Sequence, residues 1–179
     1  ISHGMEGAVL LFDVDRLQRI NDILGYLVGD EVLQRLGQKC QSLEGVISYR
    51  GPGGKFYCIT TEKSENALDR IYKEMQKFSV EVPREMNLEI QLTISCGVAF
   101  FPQDAEDFET LHANVEYALE QAKKVGRGSI AQFSGQMHRK TVEKFRLQEV
   151  LRESVANNCR GFALVYQPLV NGETQDVYG

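Results

Sequence analysis

Residues Ala8–Phe12, AVLLF, are an uninterrupted apolar run that ends at once in Asp13-Val14-Asp15. A run of this length, closed by charge, is the pattern of a central strand buried within a sheet. The rest of the chain is expected to assemble around it, with the two carboxylates held at its end.

The segments that follow alternate between helical and strand periodicity. Leu17, Ile20 and Leu24 share one face of a helix, and a second helix is expected from about Gly29-Asp30, with Leu33, Leu36 and Cys40 inward. Ser48–Arg50 and Phe56–Thr60 flank Pro52-Gly53-Gly54 and read as a β-hairpin. Ser64 is placed to cap a third helix with the stripe Ala67, Leu68, Ile71, Tyr72, Met75 and Phe78. Leu88, Ile90, Leu92 and Ile94 alternate strictly, predicting a half-buried strand that runs to about Phe100. A fourth helix is expected over Asp107–Lys124, with Gly126 as a left-handed C-cap, and a short strand over Ser129–Phe133. The order β-α-α-β-β-α-β-α-β is that of an α+β fold, a mainly antiparallel sheet flanked by helices.

Past Phe133 the pattern changes. Thr141–Val155 reads as a long helix with Val142, Phe145, Val150, Leu151 and Val155 inward, followed by a strand at Phe162–Tyr166, a turn at Asn171-Gly172 and another short strand. A boundary near residues 134–140 divides the chain into 1–135 and 136–179. Ile1 opens without a start methionine and Gly179 follows strand-like residues directly, so a portion of a longer protein is expected.

Composition narrows the class. Of 179 residues, 42% are hydrophobic and 25% charged, an ordinary soluble globule large enough for a sizeable core. The net charge of −5 disfavours non-specific binding to nucleic acid or to anionic membrane. Four cysteines without CxxC spacing read as reduced thiols of a cytoplasmic protein, and three scattered histidines make no zinc pattern. Any membrane tether would lie in segments outside this chain.

Three constellations carry candidate chemistry. Asp13 and Asp15, two apart at a strand end, face the same way and suit Mg²⁺; helix capping is an equal account of the pair and the better one for Asp15. Asn21 and Asp30, in INDILGYLVGD, combine an amide with a carboxylate, which matches the Watson–Crick edge of guanine. Capping explains each of these as well. Lys123 and Arg127, in AKKVGRG, can hold phosphates or simply complement a helix C-terminus.

Taken together, LLFDVDRLQRINDILGYLVGDEVL, YRGPGGKFYCIT, LTISCGVAFFPQD and ANVEYALEQAKKVGRGSI resemble, in this order and spacing, a GGDEF domain. That family of diguanylate cyclases joins two GTP molecules into cyclic di-GMP on a fold similar to nucleotide cyclases and polymerase palms, with a ferredoxin-like core. The tail, FRLQEVLRESVANNCRGFALVYQPLVNGETQDVYG, looks like the opening of an EAL domain, the family that hydrolyses or senses cyclic di-GMP. The resemblance implies metal ligation by Asp13 and the Val14 carbonyl, guanine recognition by Asn21 and Asp30, and phosphate binding by Lys123 and Arg127.

The hairpin departs from the family pattern. Arg50 and Phe56 align PGGKF with the signature, so Pro52 replaces a glycine, Gly54 the metal-binding acid and Lys55 the glutamate. Gln18 stands where a phosphate-binding lysine is usual and Tyr26 where a histidine is usual, and the product-inhibition motif would fall on Leu43 and Val46. No catalytic residue is assigned, and Mg²⁺ is expected to be held weakly. The implied function is a non-cyclising domain that binds GTP or another guanine nucleotide and regulates an attached EAL domain, through which cyclic di-GMP is bound. A homodimer is a further implied partner. The competing reading is a dimerisation or interaction module without nucleotide, and a working cyclase is the remaining alternative. Lys55 is expected either to reach phosphate or, by strand alternation, to point elsewhere.

Overall fold

In the computed structural model the apolar run becomes β1 (Gly7–Val14), the middle strand of a five-stranded sheet. The structure describes residues 6–157 and, past them, 159, 160, 162, 163, 165, 171 and 174. The chain separates into two compact units, Ile1–His138 and Arg139–Gly179.

In the first unit, α1 (Leu17–Leu24) and α2 (Tyr26–Gln41) follow β1, then the hairpin β2 (Val46–Arg50) and β3 (Lys55–Thr60). α3 (Glu65–Glu85), β4 (Ile94–Phe101), α4 (Phe108–Val125) and β5 (Ile130–Gln132) complete the sheet, in the order β2-β3-β1-β4-β5. All pairings are antiparallel except β4 with β5. The α+β class and the element order expected from sequence are those of the structure.

Pleating sends Ala8, Leu10, Phe12 and Val14 of β1 to the face covered by α1, α2 and α3. Val9 and Leu11 go to the other face, covered by α4 through Leu111, Val115 and Leu119. Leu10, Leu11 and Phe12 are fully buried. At about 1.5–3 kcal/mol for each large apolar side chain removed from water, this strand anchors both layers.

Several boundaries differ from the sequence expectation. The break between the first two helices is Gly25, whose φ of 87° no residue with a side chain adopts easily, so α2 starts at Tyr26 and Gly29 lies buried inside it. The ladder of β4 begins only at Ile94, and the strand is buried on both faces rather than half-buried, because helices cover each side. Leu92 and Ile90 pack against the first core from outside the ladder, which preserves the alternation without the pairing. Gly126 is extended (φ 165°), not left-handed; the left-handed glycine is Gly128 (φ 73°). Ser64 and Asp107 do cap α3 and α4 through side-chain bonds to Ala67 N and Thr110 N.

α5 (Gly135–Ala156) begins six residues before the expected helix start, and Val150, Leu151 and Val155 are exposed rather than inward. The Val142 and Phe145 side chains, and most of the two strands expected from Phe162 onward, lie outside the described residues. Among the described residues, no helix is long and apolar enough to cross a membrane.

β4 and α4 approach closely at Gly97. A Cβ there would stand 2.4 Å from both Leu119 N and Val115 O of α4, atoms that cannot move aside singly. Gly97→Ala is therefore expected to cost roughly 3 kcal/mol in urea unfolding. Gly126→Ala, with no atom within 4 Å, is expected to change stability by under about 0.5 kcal/mol. Equal effects at the two positions would contradict this seating of α4 on the sheet.

Candidate functional site

The two carboxylates at the end of β1 have separate fates. Asp15 is 6% exposed and fully engaged: it accepts from Ser95 Oγ at 2.8 Å, Thr93 Oγ1 at 2.9 Å and the Gly128 backbone N–H at 2.9 Å. It caps no helix, since Arg16 is the N-cap of α1 and no side chain caps that end. Asp15 instead ties the exit of β1 to β4 and to the loop after α4. Tyr72 Oη donates to the Gly128 carbonyl at 2.7 Å and holds the same loop from α3.

Asp13 meets an internal cation. Its Oδ2 lies 2.7 Å from Lys123 Nζ, both side chains being mostly buried, and Lys123 also pairs with Glu120 at 3.2 Å. Burial works against the ammonium charge, but its bonds to Asp13 and Glu120 outweigh that and hold its pKa above the ordinary lysine value. Val14, the other expected metal ligand, is buried in the ladder opposite Ile94.

The donor set does not fit a divalent cation. Mg²⁺ binds through one or two free carboxylates with nearly octahedral oxygen geometry. Here Asp15 is saturated, Asp13 already carries an ammonium, and no group of three His, Cys, Asp or Glu residues among those described can hold a metal.

The hairpin turn explains part of this. Pro52–Gly54 form one 3-10 turn closed by Gly51 N–H to the Lys55 carbonyl at 2.8 Å. Gly54 is buried with φ 83°, and a Cβ on it would approach Leu17 and Leu33 methyls at 3.0 and 3.1 Å. Lys55 lies directly across the ladder from Asp13. Its ammonium reaches α4 and bonds Glu116 Oε2 at 2.5 Å. Tyr57 Oη joins the same group, 3.2 Å from Glu116 Oε1 and 2.8 Å from His112 Nε2. Burial, then the adjacent Glu116 charge, push the Tyr57 hydroxyl up to about 12. Lys55 is thus a clasp between hairpin and helix.

Asn21 and Asp30 lie on either side of the α1–α2 elbow. Neither caps a helix: Asn21 is inside α1, Asp30 inside α2, and the N-cap of α2 is Gly25. The Asn21 Oδ1 is buried without a partner, against Gly29, where a Cβ would fall 1.8 Å from it. Asp30, next in the chain, is exposed and forms no ion pair among the described residues.

Arg127 and Lys123 have different surroundings. Arg127 lines a cleft of about 660 Å³ with Arg16, Arg19, Ile20, Ile23 and Glu89, while Lys123 turns to Asp13. Sequence reasoning missed Glu116 and Glu120. Their spacing to Lys123 (116, 120, 123) places all three on one face of α4, which was the available signal.

With this geometry established, the similarity to known proteins is specific. The family model "Diguanylate cyclase, GGDEF domain" matches residues 2–129. The cyclic di-GMP phosphodiesterase NbdA of Pseudomonas aeruginosa is 29% identical over 167 residues, covering 91% of this chain and 21% of the relative. The cyclic di-GMP phosphodiesterase PdeR of Escherichia coli is 25% identical over 166 residues, covering 90% and 24%. This chain therefore spans at most about a quarter of the length of either. Of solved structures, an EAL/GGDEF domain protein from M. capsulatus superposes with a TM-score of 0.65 at 28% identity, covering 74% of this chain and 88% of that one. The GGDEF domain of TpbB (YfiN) from Pseudomonas aeruginosa gives 0.65 at 26% identity, covering 78% and 83%.

The clasp predicts a charge-order experiment. Lys55→Ala leaves the part-buried Glu116 with only the Tyr57 hydroxyl and no counter-charge, a loss of about 1 kcal/mol, and Lys55→Glu adds repulsion for a total of about 2–3 kcal/mol. Adding Glu116→Lys to Lys55→Glu recovers at least about 1 kcal/mol in denaturant unfolding. No recovery would show that the two side chains do not interact.

Proposed function

The chain belongs to the GGDEF (diguanylate cyclase) family, and from that premise we propose that this member binds a guanine nucleotide without cyclising it and thereby regulates an EAL domain that follows it. The elbow carries the nucleotide part of this reading. Asn21 and Asp30 stand there free of capping duty, with an amide oxygen that no protein group satisfies. A carboxylate accepts from the guanine ring N–H and exocyclic amine, and an amide donates to the carbonyl. Lys123 is the phosphate-binding residue on this reading, with one of its three N–H donors left over from Asp13 and Glu120 for phosphate.

Loss of cyclisation follows from the same corner. Phosphoryl transfer needs concentrated positive charge at the reacting phosphate, in this family's chemistry a metal between carboxylates. Gly54 supplies no oxygen, and Lys55 sits across from Asp13. The regulated EAL domain is supported by the tail, which resembles its opening, and by the relatives named as phosphodiesterases. Residues 1–135 form the nucleotide-binding part on this reading and 136–179 the start of the EAL part, in the cytoplasm.

The chain should make no detectable cyclic di-GMP from GTP and Mg²⁺. Gly54→Asp with Lys55→Glu should not restore it, because the new acid meets Leu17 and Leu33 at a positive φ and the new glutamate faces Glu116. Product forming at ordinary cyclase rates in either protein would refute the degenerate reading.

Gly29→Ala separates binding from folding. Alanine is a better helix former by up to about 1 kcal/mol, so the variant should melt no lower than wild type. The new methyl displaces the Asn21 amide, so GTP affinity by calorimetry should fall at least about tenfold, a loss on the scale of one hydrogen bond. Affinity should change little between Mg²⁺ and EDTA. No heat from GTP with wild-type protein would instead favour the interaction module without nucleotide.

A further inference from the structure

The segment that leaves α4 is tied down from inside. Gly128, left-handed at φ 73°, donates its N–H to Asp15 Oδ2 at 2.9 Å and to Ser95 Oγ at 3.3 Å. Its carbonyl accepts the Tyr72 hydroxyl at 2.7 Å. The Ser129 hydroxyl donates to the Ala122 carbonyl in the last turn of α4 at 2.7 Å, and the Ser129 carbonyl accepts the Cys96 N–H at 2.9 Å. Burial raises the Tyr72 hydroxyl above the ordinary tyrosine pKa, so it remains a donor.

These bonds hold a segment that carries cations. Arg127, exposed, stands between Gly126 and Gly128, and Lys123 follows directly on the Ala122 carbonyl that Ser129 engages. Two glycines around one arginine would otherwise leave its backbone a wide range of conformations. Asp15 and Ser95 hold the Gly128 N–H from the sheet, and Tyr72 holds the Gly128 carbonyl from α3. The tyrosine ring packs against the first core, and only its hydroxyl reaches the segment. We propose that Tyr72 is a positioning residue for ligand phosphate: by holding Gly128, its hydroxyl keeps Arg127 and the Lys123 end of α4 in one arrangement before a ligand arrives. The role rests on the guanine-nucleotide reading and adds to it a residue that touches no ligand. Order already present in the fold is order that binding does not have to impose, and affinity rises accordingly.

The test is calorimetry of GTP binding to the whole 179-residue chain, wild type and Tyr72→Phe, from about 50 to 300 mM NaCl. The substitution removes one oxygen and keeps the ring. GTP affinity at low salt is expected to fall about tenfold, the scale of one hydrogen bond. Added salt should then weaken binding less than in wild type, because cations no longer held against phosphate leave less attraction to be screened. A purely structural effect would lower affinity equally at every salt concentration. Unchanged affinity in Tyr72→Phe, or a loss equal at low and high salt, would overturn the positioning role and leave the nucleotide reading standing. No heat from GTP with wild-type protein would overturn the nucleotide reading and this role with it.

Discussion

A carboxylate buried at the end of a strand must find its hydrogen-bond donors or counter-charge inside the protein. β1 meets that condition twice. Asp15, 6% exposed, takes hydrogen bonds from two hydroxyls and a backbone N–H, and Asp13 takes the Lys123 ammonium. Without these partners each carboxylate would face a desolvation penalty of several kcal/mol. The partners come from β4, from α4 and from the loop after α4, so compensating the strand end also fixes how those elements meet. The candidate site inherits its shape from this requirement.

In this setting the altered hairpin is coherent. A metal between carboxylates would supply positive charge at this corner; here lysines supply it. Lys123 balances Asp13, and Lys55 balances Glu116 on the same face of α4 as Glu120 and Lys123. Position 54 is a glycine whose positive φ and tight seating under Leu17 and Leu33 leave little room for a side chain. A glycine at 54 and the Lys55–Glu116 clasp are thus mutually compatible. Reversing one alone leaves an uncompensated charge.

What was legible in the sequence was whatever depends on local periodicity. The β1 run, the α3 stripe and the Ser64 cap could be read directly because each is decided within a few residues. What was not legible depends on close approach between distant segments. Gly25 and Gly29 both look like breaks, and only the packing of Asn21 against Gly29 shows that the second is a contact point inside a helix. Leu88–Ile94 alternates as a strand does, yet pairing starts at Ile94, because alternation reports which side is buried and not whether a neighbour is hydrogen-bonded. Capping was a reasonable account of Asp15, Asn21 and Asp30 from sequence, since short polar residues near helix ends commonly cap. For Asp15 the competing donors, Thr93 and Ser95, lie about 80 residues away, beyond any local signal. The tail marks a different limit: an amphipathic pattern predicts an inward face only where something covers it, and Val150 and Val155 are exposed.

One element with little room for independent stability is α1, which is only eight residues long. So short a helix has little stability of its own and is held by its packing. Its inward residues, Leu17, Ile20 and Leu24, pack on the core, its N-terminus is not capped by any side chain, and its C-terminus turns at Gly25. Arg16, just before it, holds a left-handed conformation (φ 56°) that a residue with a long side chain adopts at some cost. An element so placed can change position for a modest free energy, and a ligand at the elbow would bias it by the difference in affinity for those positions.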